Sequence, residues 1–262
     1  MHDYHKQALT NLVEELSPDP TFLAIITGGS VAQGIAKETS DVDVYLVVTD
    51  EAYEERKKDN RLSYYNNQIC DYPGGYIDGK IINLRFLELA AERGSEPTRY
   101  SFTGSTAFFS RIPDLDRLLS RIPVYPESNR DKNLTDFFAQ LYLYAYYFAG
   151  EAEKKNNPYL LSHSASNVVL FASRIILAHN RILFPCHKTL MTAVASAPEK
   201  PDQYVERVNE LLAHPTHAKC VDLAKMILAF RDSGISFDQA VSLFVENNEW
   251  NWLEHPAPLQ DR

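Results

Sequence analysis

Basic residues are scarce in this chain: 26 Lys and Arg stand against 35 Asp and Glu, a formal net charge of −9 over 262 residues. That balance argues against a general nucleic-acid binder, which presents a basic face, and suits a small-molecule partner better. Cysteine is scarcer still. Cys70, Cys186 and Cys220 are too few and too scattered for a disulfide framework or for metal-ligand spacing, so they read as free thiols of a reducing compartment. No unbroken apolar run approaches the roughly 18–20 residues that span a bilayer. The nearest, FFAQLYLYAYYFAG at 137–150, is short and interrupted by Gln140. The opening stretch, MHDYHKQALTNLVEELSP, is polar and amphipathic, unlike a secretory signal. The expectation is a cytoplasmic protein with neither a membrane nor a nucleic-acid partner.

What is present changes character near residue 124. Upstream, strand and helix patterns are mixed. Residues 3–16 read as a helix with Leu9, Leu12, Val13 and Leu16 on one side. TFLAIIT is of strand length, and it is halted by Gly28 and Gly29. Ser30 is placed to cap a short helix over SVAQGIAK, DVDVYLVV reads as a second strand, and 50–60 as a charged, solvated helix. The Asp78-Gly79 pair within GGYIDGKIINLRF is a hairpin signal, predicting two further strands that meet there. Downstream, strand signals give way to helical patterns at 131–155, 158–183, 188–197, 202–213, 216–231 and 237–249. An α/β domain over 1–124 followed by a helical domain over 125–262 is expected.

The chemistry sits in TGGSVAQGIAKETSDVDVYLVV, residues 27–48. Side chains alternate along a strand, so Asp41 and Asp43 share a face while Val42 and Val44 take the other. Two like charges about 4–5 Å apart repel by roughly 4 kcal/mol at an effective dielectric near 20, and a divalent cation offsets that cost. Carboxylates on a rigid strand make a hard, oxygen-lined seat suited to Mg²⁺. Gly28 and Gly29 let the backbone turn and approach a ligand, and Ser30 with the first amides of the following helix can accept a phosphate. A phosphate seat beside a Mg²⁺ seat describes a site for a metal-bound nucleoside triphosphate.

This stretch resembles the nucleotidyltransferase superfamily that includes DNA polymerase beta and the antibiotic nucleotidyltransferases. The family motif, Gly-Gly/Ser followed about ten residues later by Asp-x-Asp, matches Gly29, Ser30, Asp41 and Asp43. The resemblance implies an α+β fold, a small mixed sheet flanked by helices and followed by an all-α helical bundle. It also implies two Mg²⁺ ions held by three carboxylates. They would align an acceptor hydroxyl for attack on the α-phosphate of ATP or another nucleoside triphosphate, with pyrophosphate leaving. The family's third carboxylate lies on a later strand in an apolar-Asp-apolar setting. The matching run here, KIINLRF, offers Asn83, an amide that can coordinate Mg²⁺ but brings no charge. Asp78 is the near acidic alternative, although its Asp-Gly pair reads first as a turn, and Glu88 lies further on in a helical pattern.

Among basic groups, Lys188 in FPCHKTL, with its neighbour His187, is a candidate for the nucleotide's phosphates; Lys37 and Arg99 are weaker ones. His163 and His179 read as core histidines, and Arg174 with His179 makes a short Arg-x4-His pattern also found in HEPN-type ribonucleases. The functional expectation is transfer of a nucleoside monophosphate, AMP from ATP, to a small-molecule hydroxyl, an aminoglycoside-like acceptor being one option. The alternative that Asn83 leaves open is a catalytically impaired nucleotide-binding or antitoxin-like module.

Overall fold

His5, Ala8, Leu9, Leu12 and Leu16 fall at helical spacing and form the buried stripe of α1 (Asp3–Leu16) in the computed structural model, which describes residues 1–254 and 256–259. The chain divides into two compact units, Met1–Tyr125 and Pro126–Arg262. In the first, α1 packs on a five-stranded sheet of β1 (Phe22–Thr27), β2 (Val42–Val48), β3 (Ser63–Asn66), β4 (Ile77–Ile82) and β5 (Ala107–Ser110), in the order β3-β4-β2-β1-β5. Strands β2 and β4 run parallel and every other pairing is antiparallel, so the sheet is mixed.

Strand β2 is central, which explains its composition. Both of its faces are covered, so it is apolar along its whole length except at Asp43. Val42, Val44 and Leu46 pack toward α1, while Tyr45 and Val47 pack on the opposite face against Leu87 and Ala90 of α4 (Leu84–Arg93) and Leu115 and Leu119 of the short helix Leu115–Leu119. Between β2 and β3, α3 (Asp50–Lys58) buries no residue, as its charge run predicts, and Thr49 caps it by accepting from the Ala52 amide.

Three sequence readings in this unit are corrected. Asp78 and Gly79 form no hairpin turn: they lie inside β4, which pairs on one side with β2 and on the other with β3. Gly79 has no positive φ. It is there for space, since a Cβ would stand 2.9 Å from the Cβ of Tyr64 on β3. Ser30 is not a cap either. Helix α2 is only Gly29–Ala32, and Gly28 occupies the capping position. Asn83 does not continue the strand; it caps α4, its Oδ1 accepting from the Phe86 amide at 3.0 Å and its Nδ2 donating to Asp50 Oδ1 at 2.8 Å.

His5 carries a pH dependence with it. Its imidazole is fully buried, and burial pushes its pKa below the ordinary 6.5 despite a bond to the Ser40 carbonyl. The unfolded chain therefore takes up a proton below about pH 6.5 that the folded chain refuses, so acid favours unfolding until folded His5 itself protonates. Denaturation titrations between about pH 7.5 and 5 are expected to show stability falling with pH, and His5→Gln to remove part of that slope.

The second unit is helical. Helix Arg130–Tyr142 runs through a π-helical stretch, Leu143–Phe148, into Ala149–Lys154, and packs on the 22-residue helix Pro158–His179. The latter is long and apolar enough by composition to cross a bilayer, with half of its most apolar window buried. Val168, Ala172, Ile175 and Ile176 are buried in this unit's core. Shorter helices Leu190–Ala195, Tyr204–Ala213, His217–Phe230 and Phe237–Phe244 complete it. His163, expected in the core, is exposed, whereas His179 is held between Glu199 at 2.9 Å and Arg231 at 3.0 Å. The Arg174 guanidinium lies over the rings of Phe137 and Phe184, 4.5 Å from each centroid, and so packs as part of this core.

All three cysteines are free. Cys186 is exposed, and bonding to Thr189 lowers its pKa, while burial pushes Cys220 up to about 12. Iodoacetamide near neutral pH is accordingly expected to label Cys186 first and to spare Cys220 until the unit unfolds, as peptide mass mapping would read.

Candidate active site

Asp41 stands one residue before β2 and Asp43 is the strand's second residue. Across the parallel ladder Asp43 is in register with Asp78 of β4, and paired residues share a face. The strand arrangement thus brings three carboxylates together, one oxygen of each lying within 4.8 Å of the others. All three are half-buried. The third acid of the cluster is Asp78, and Asn83 is committed to the cap of α4. Glu88 is exposed on α4.

The glycine turn is built against the same carboxylates. Gly28 donates its amide to the Asp43 carbonyl at 2.8 Å. Gly29 has φ +55, and a Cβ there would collide with the Asp43 carboxylate. Gly29→Ala is therefore expected to strain the backbone by at least about 1 kcal/mol and to displace Asp43. The measurement is divalent-metal affinity, which should fall although no charge has been removed. Ser30 follows, half-buried, in the first turn of α2, where the leading amides have no intrahelical acceptor. At four residues, α2 is too short for its dipole to contribute much, so any anion contact there would come from individual amides.

Two tyrosines border the cluster that sequence reasoning missed. Tyr65 of β3 is in register with Asp78 and is 65% exposed; its ring lies 5.3 Å from that of Tyr76. A hydrogen bond to Asp41, then the charges of Asp41, Asp78 and Asp43, keep the Tyr76 phenol protonated to higher pH than usual. For Tyr65 the signal was the run SYYN, a four-residue edge strand with little patterning of its own, and Tyr76 lay hidden before the Asp78-Gly79 pair that read as a turn.

The basic candidates separate. Arg99 is not a phosphate ligand: it is 5% exposed and donates to the carbonyls of Ala91, Glu92, Gly94, Ile122 and Val124. Lys37 is exposed on the loop before Asp41. Lys188 is exposed in the second unit, in the turn His187–Thr189.

Comparison with known proteins fits this geometry. Residues 9–75 match the family model described as a nucleotidyltransferase domain. No curated protein matches the sequence significantly. Among solved structures, the chain is similar to a nucleotidyltransferase-like protein from Exiguobacterium sibiricum 255-15, at 13% identity and TM-score 0.50, over 96% of this chain and 81% of that one. Spectinomycin adenyltransferase AAD(9) from Enterococcus faecialis, solved with ATP and spectinomycin, matches at 15% identity and TM-score 0.37, over 87% of this chain and 99% of that one. The family match spans the glycine turn and the Asp41–Asp43 pair, and strand register sets Asp78 beside them: over residues 9–75 the chain is similar to a nucleotidyltransferase domain.

Proposed function

We infer that this protein is a Mg²⁺-dependent enzyme that moves a nucleoside monophosphate, AMP from ATP, onto a hydroxyl of a small-molecule acceptor. The observation that carries the reading is the register of Asp43 with Asp78, which sets three acids, with Asp41, around one point. Their donor set is all oxygen and anionic, which fits Mg²⁺ and leaves its other positions to water and phosphate. Divalent ions held there would offset the triphosphate's charge and stabilise the entering and leaving oxygens of an in-line displacement. The chain's own part is positioning. Asp43 and Asp78 are fixed by neighbouring strands, the Gly28-Gly29 turn lets the backbone approach the Asp43 carboxylate, and the leading amides of α2, which have no acceptor within that helix, supply donors for an anion.

The impaired-module alternative loses its motive, because Asn83 serves a helix cap and the cluster has its third acid in Asp78. The acidic balance and the exposed Tyr65 favour an acceptor with cationic or ring character over a nucleic acid. Three free cysteines suit a reducing, cytoplasmic setting. Incubation with labelled ATP, Mg²⁺ and a panel of small hydroxylated acceptors, amino sugars included, tests the reading through pyrophosphate release. Release that depends on Mg²⁺ and on one acceptor class supports it. Unchanged turnover in Asp41→Asn would contradict the metal assignment.

A further inference from the structure

We propose that His5 and Tyr72 form a brace that sets the position of Asp41, and through it the geometry of the metal-binding acids; this rests on the metal-site reading above. Two donors converge on one carbonyl immediately before Asp41: Tyr72 Oη donates to Ser40 O at 2.9 Å and His5 Nε2 donates to the same oxygen at 3.3 Å. His2 Nε2 reaches the carbonyl of Ala36 further back in the same loop, at 3.3 Å. Within this loop, residues 33–41, a local turn closes on Ser40, whose amide donates to the Lys37 carbonyl at 3.0 Å and whose Oγ accepts from the Lys37 amide at 2.9 Å; most positions from Gly34 to Thr39 are exposed, so the two rings are what tie that turn to the rest of the unit.

The brace also joins the two sides of the cluster. Tyr72 holds Ser40 on one side of Asp41, and the Tyr76 carbonyl accepts the amide of Val42 on the other, at 3.0 Å. Both tyrosines belong to the segment that leads directly into β4 and Asp78. Asp41 is thereby clamped between residues tied to the strand that carries its partner acid. The rings of Tyr4, His5 and Tyr72 pack on one another with centroids 4.6–5.2 Å apart, which limits how far either donor can swing.

A structural role alone accounts poorly for His5. It is the one polar member of the buried stripe of α1, and its Nδ1 is buried with no hydrogen-bond partner. An unpaired buried polar atom is destabilising, a cost that an aliphatic side chain on that face would avoid. The return on that cost is the Nε2 bond to Ser40. Removing a group hydrogen-bonded to a metal ligand changes metal affinity about 10–100-fold, and His5 and Tyr72 act one residue away, on the Ser40 carbonyl, so the low end of that range is expected.

The test is the dissociation constant for Mn²⁺, read by electron paramagnetic resonance, together with melting in EDTA. Tyr72→Phe removes one oxygen and is expected to weaken Mn²⁺ about tenfold while melting in EDTA close to the parent. His5→Leu, which loses the donor, is expected to weaken Mn²⁺ similarly, and His5→Gln, whose amide reaches the Nε2 position, to recover most of the affinity. Should His5→Leu fail to fold, Tyr72→Phe and His5→Gln decide alone. Parent-like Mn²⁺ affinity in Tyr72→Phe overturns the brace and leaves the metal site standing. Absence of Mn²⁺ binding by the parent itself overturns the metal site, and the brace falls with it.

Discussion

Asp78→Asn is expected to lower nucleotidyl transfer about a thousandfold while making the metal-free protein more stable. The two effects share one cause. Three carboxylate oxygens within 4.8 Å repel one another, by about 3 kcal/mol per pair at an effective dielectric near 20 and less once salt screens half-exposed groups. Replacing one acid by its isosteric amide removes two of the three repulsions and keeps the shape. In EDTA the first unit should therefore melt a few degrees higher, since about 1 kcal/mol shifts a midpoint by roughly 2–4 °C in a chain of this size class. With Mg²⁺ the order reverses, because the variant has lost a ligand. A loss of about 4 kcal/mol in transition-state stabilisation corresponds to the thousandfold fall. Scanning calorimetry with and without Mg²⁺, beside a pyrophosphate assay, checks both halves. An acid that served only as a turn or edge residue would change neither.

Arg99 carries the second large effect, on stability. Its buried guanidinium donates to five carbonyls: three at the C-terminal end of α4, where a cation also complements the helix dipole, and those of Ile122 and Val124. Removing it takes the donor from the buried Ile122 carbonyl and from four partly buried ones, and Arg99→Met is expected to cost about 3 kcal/mol. Arg99→Lys should recover less than half, because a single ammonium cannot span the positions that the planar fork reaches. Urea denaturation gives the magnitude. Nucleotide affinity of whatever remains folded should be unchanged, which separates this residue from a phosphate ligand.

The sequence made some of this legible and hid the rest for definite reasons. Helix α1 and strand β2 show in the pattern because burial imposes a period of 3.6 residues on one and a continuous apolar run on the other. Asp41, Asp43 and the two glycines stood out because they lie close together along the chain, and the structure packs both glycines against Asp43. Asp78 was obscured by its neighbour. Glycine after aspartate signals a turn through its tolerance of positive φ, yet Gly79 is selected here for the room it gives Tyr64, a contact made by a strand 15 residues earlier in the chain. Asn83 misled in the opposite direction: alternation carried the strand reading past Ile82, when an asparagine three residues ahead of Phe86 was already a helix cap. His5 and Tyr72 gave no local signal, since their common target, Ser40, is more than 30 residues from each.

The most direct test is calorimetric titration with a non-hydrolysable ATP analogue, performed with Mg²⁺ and again in EDTA, on the parent and on Asp43→Asn. Saturable binding by the parent in Mg²⁺ only, lost in the variant, is the predicted result. No binding by the parent in either condition, or equal binding in EDTA, would contradict the account.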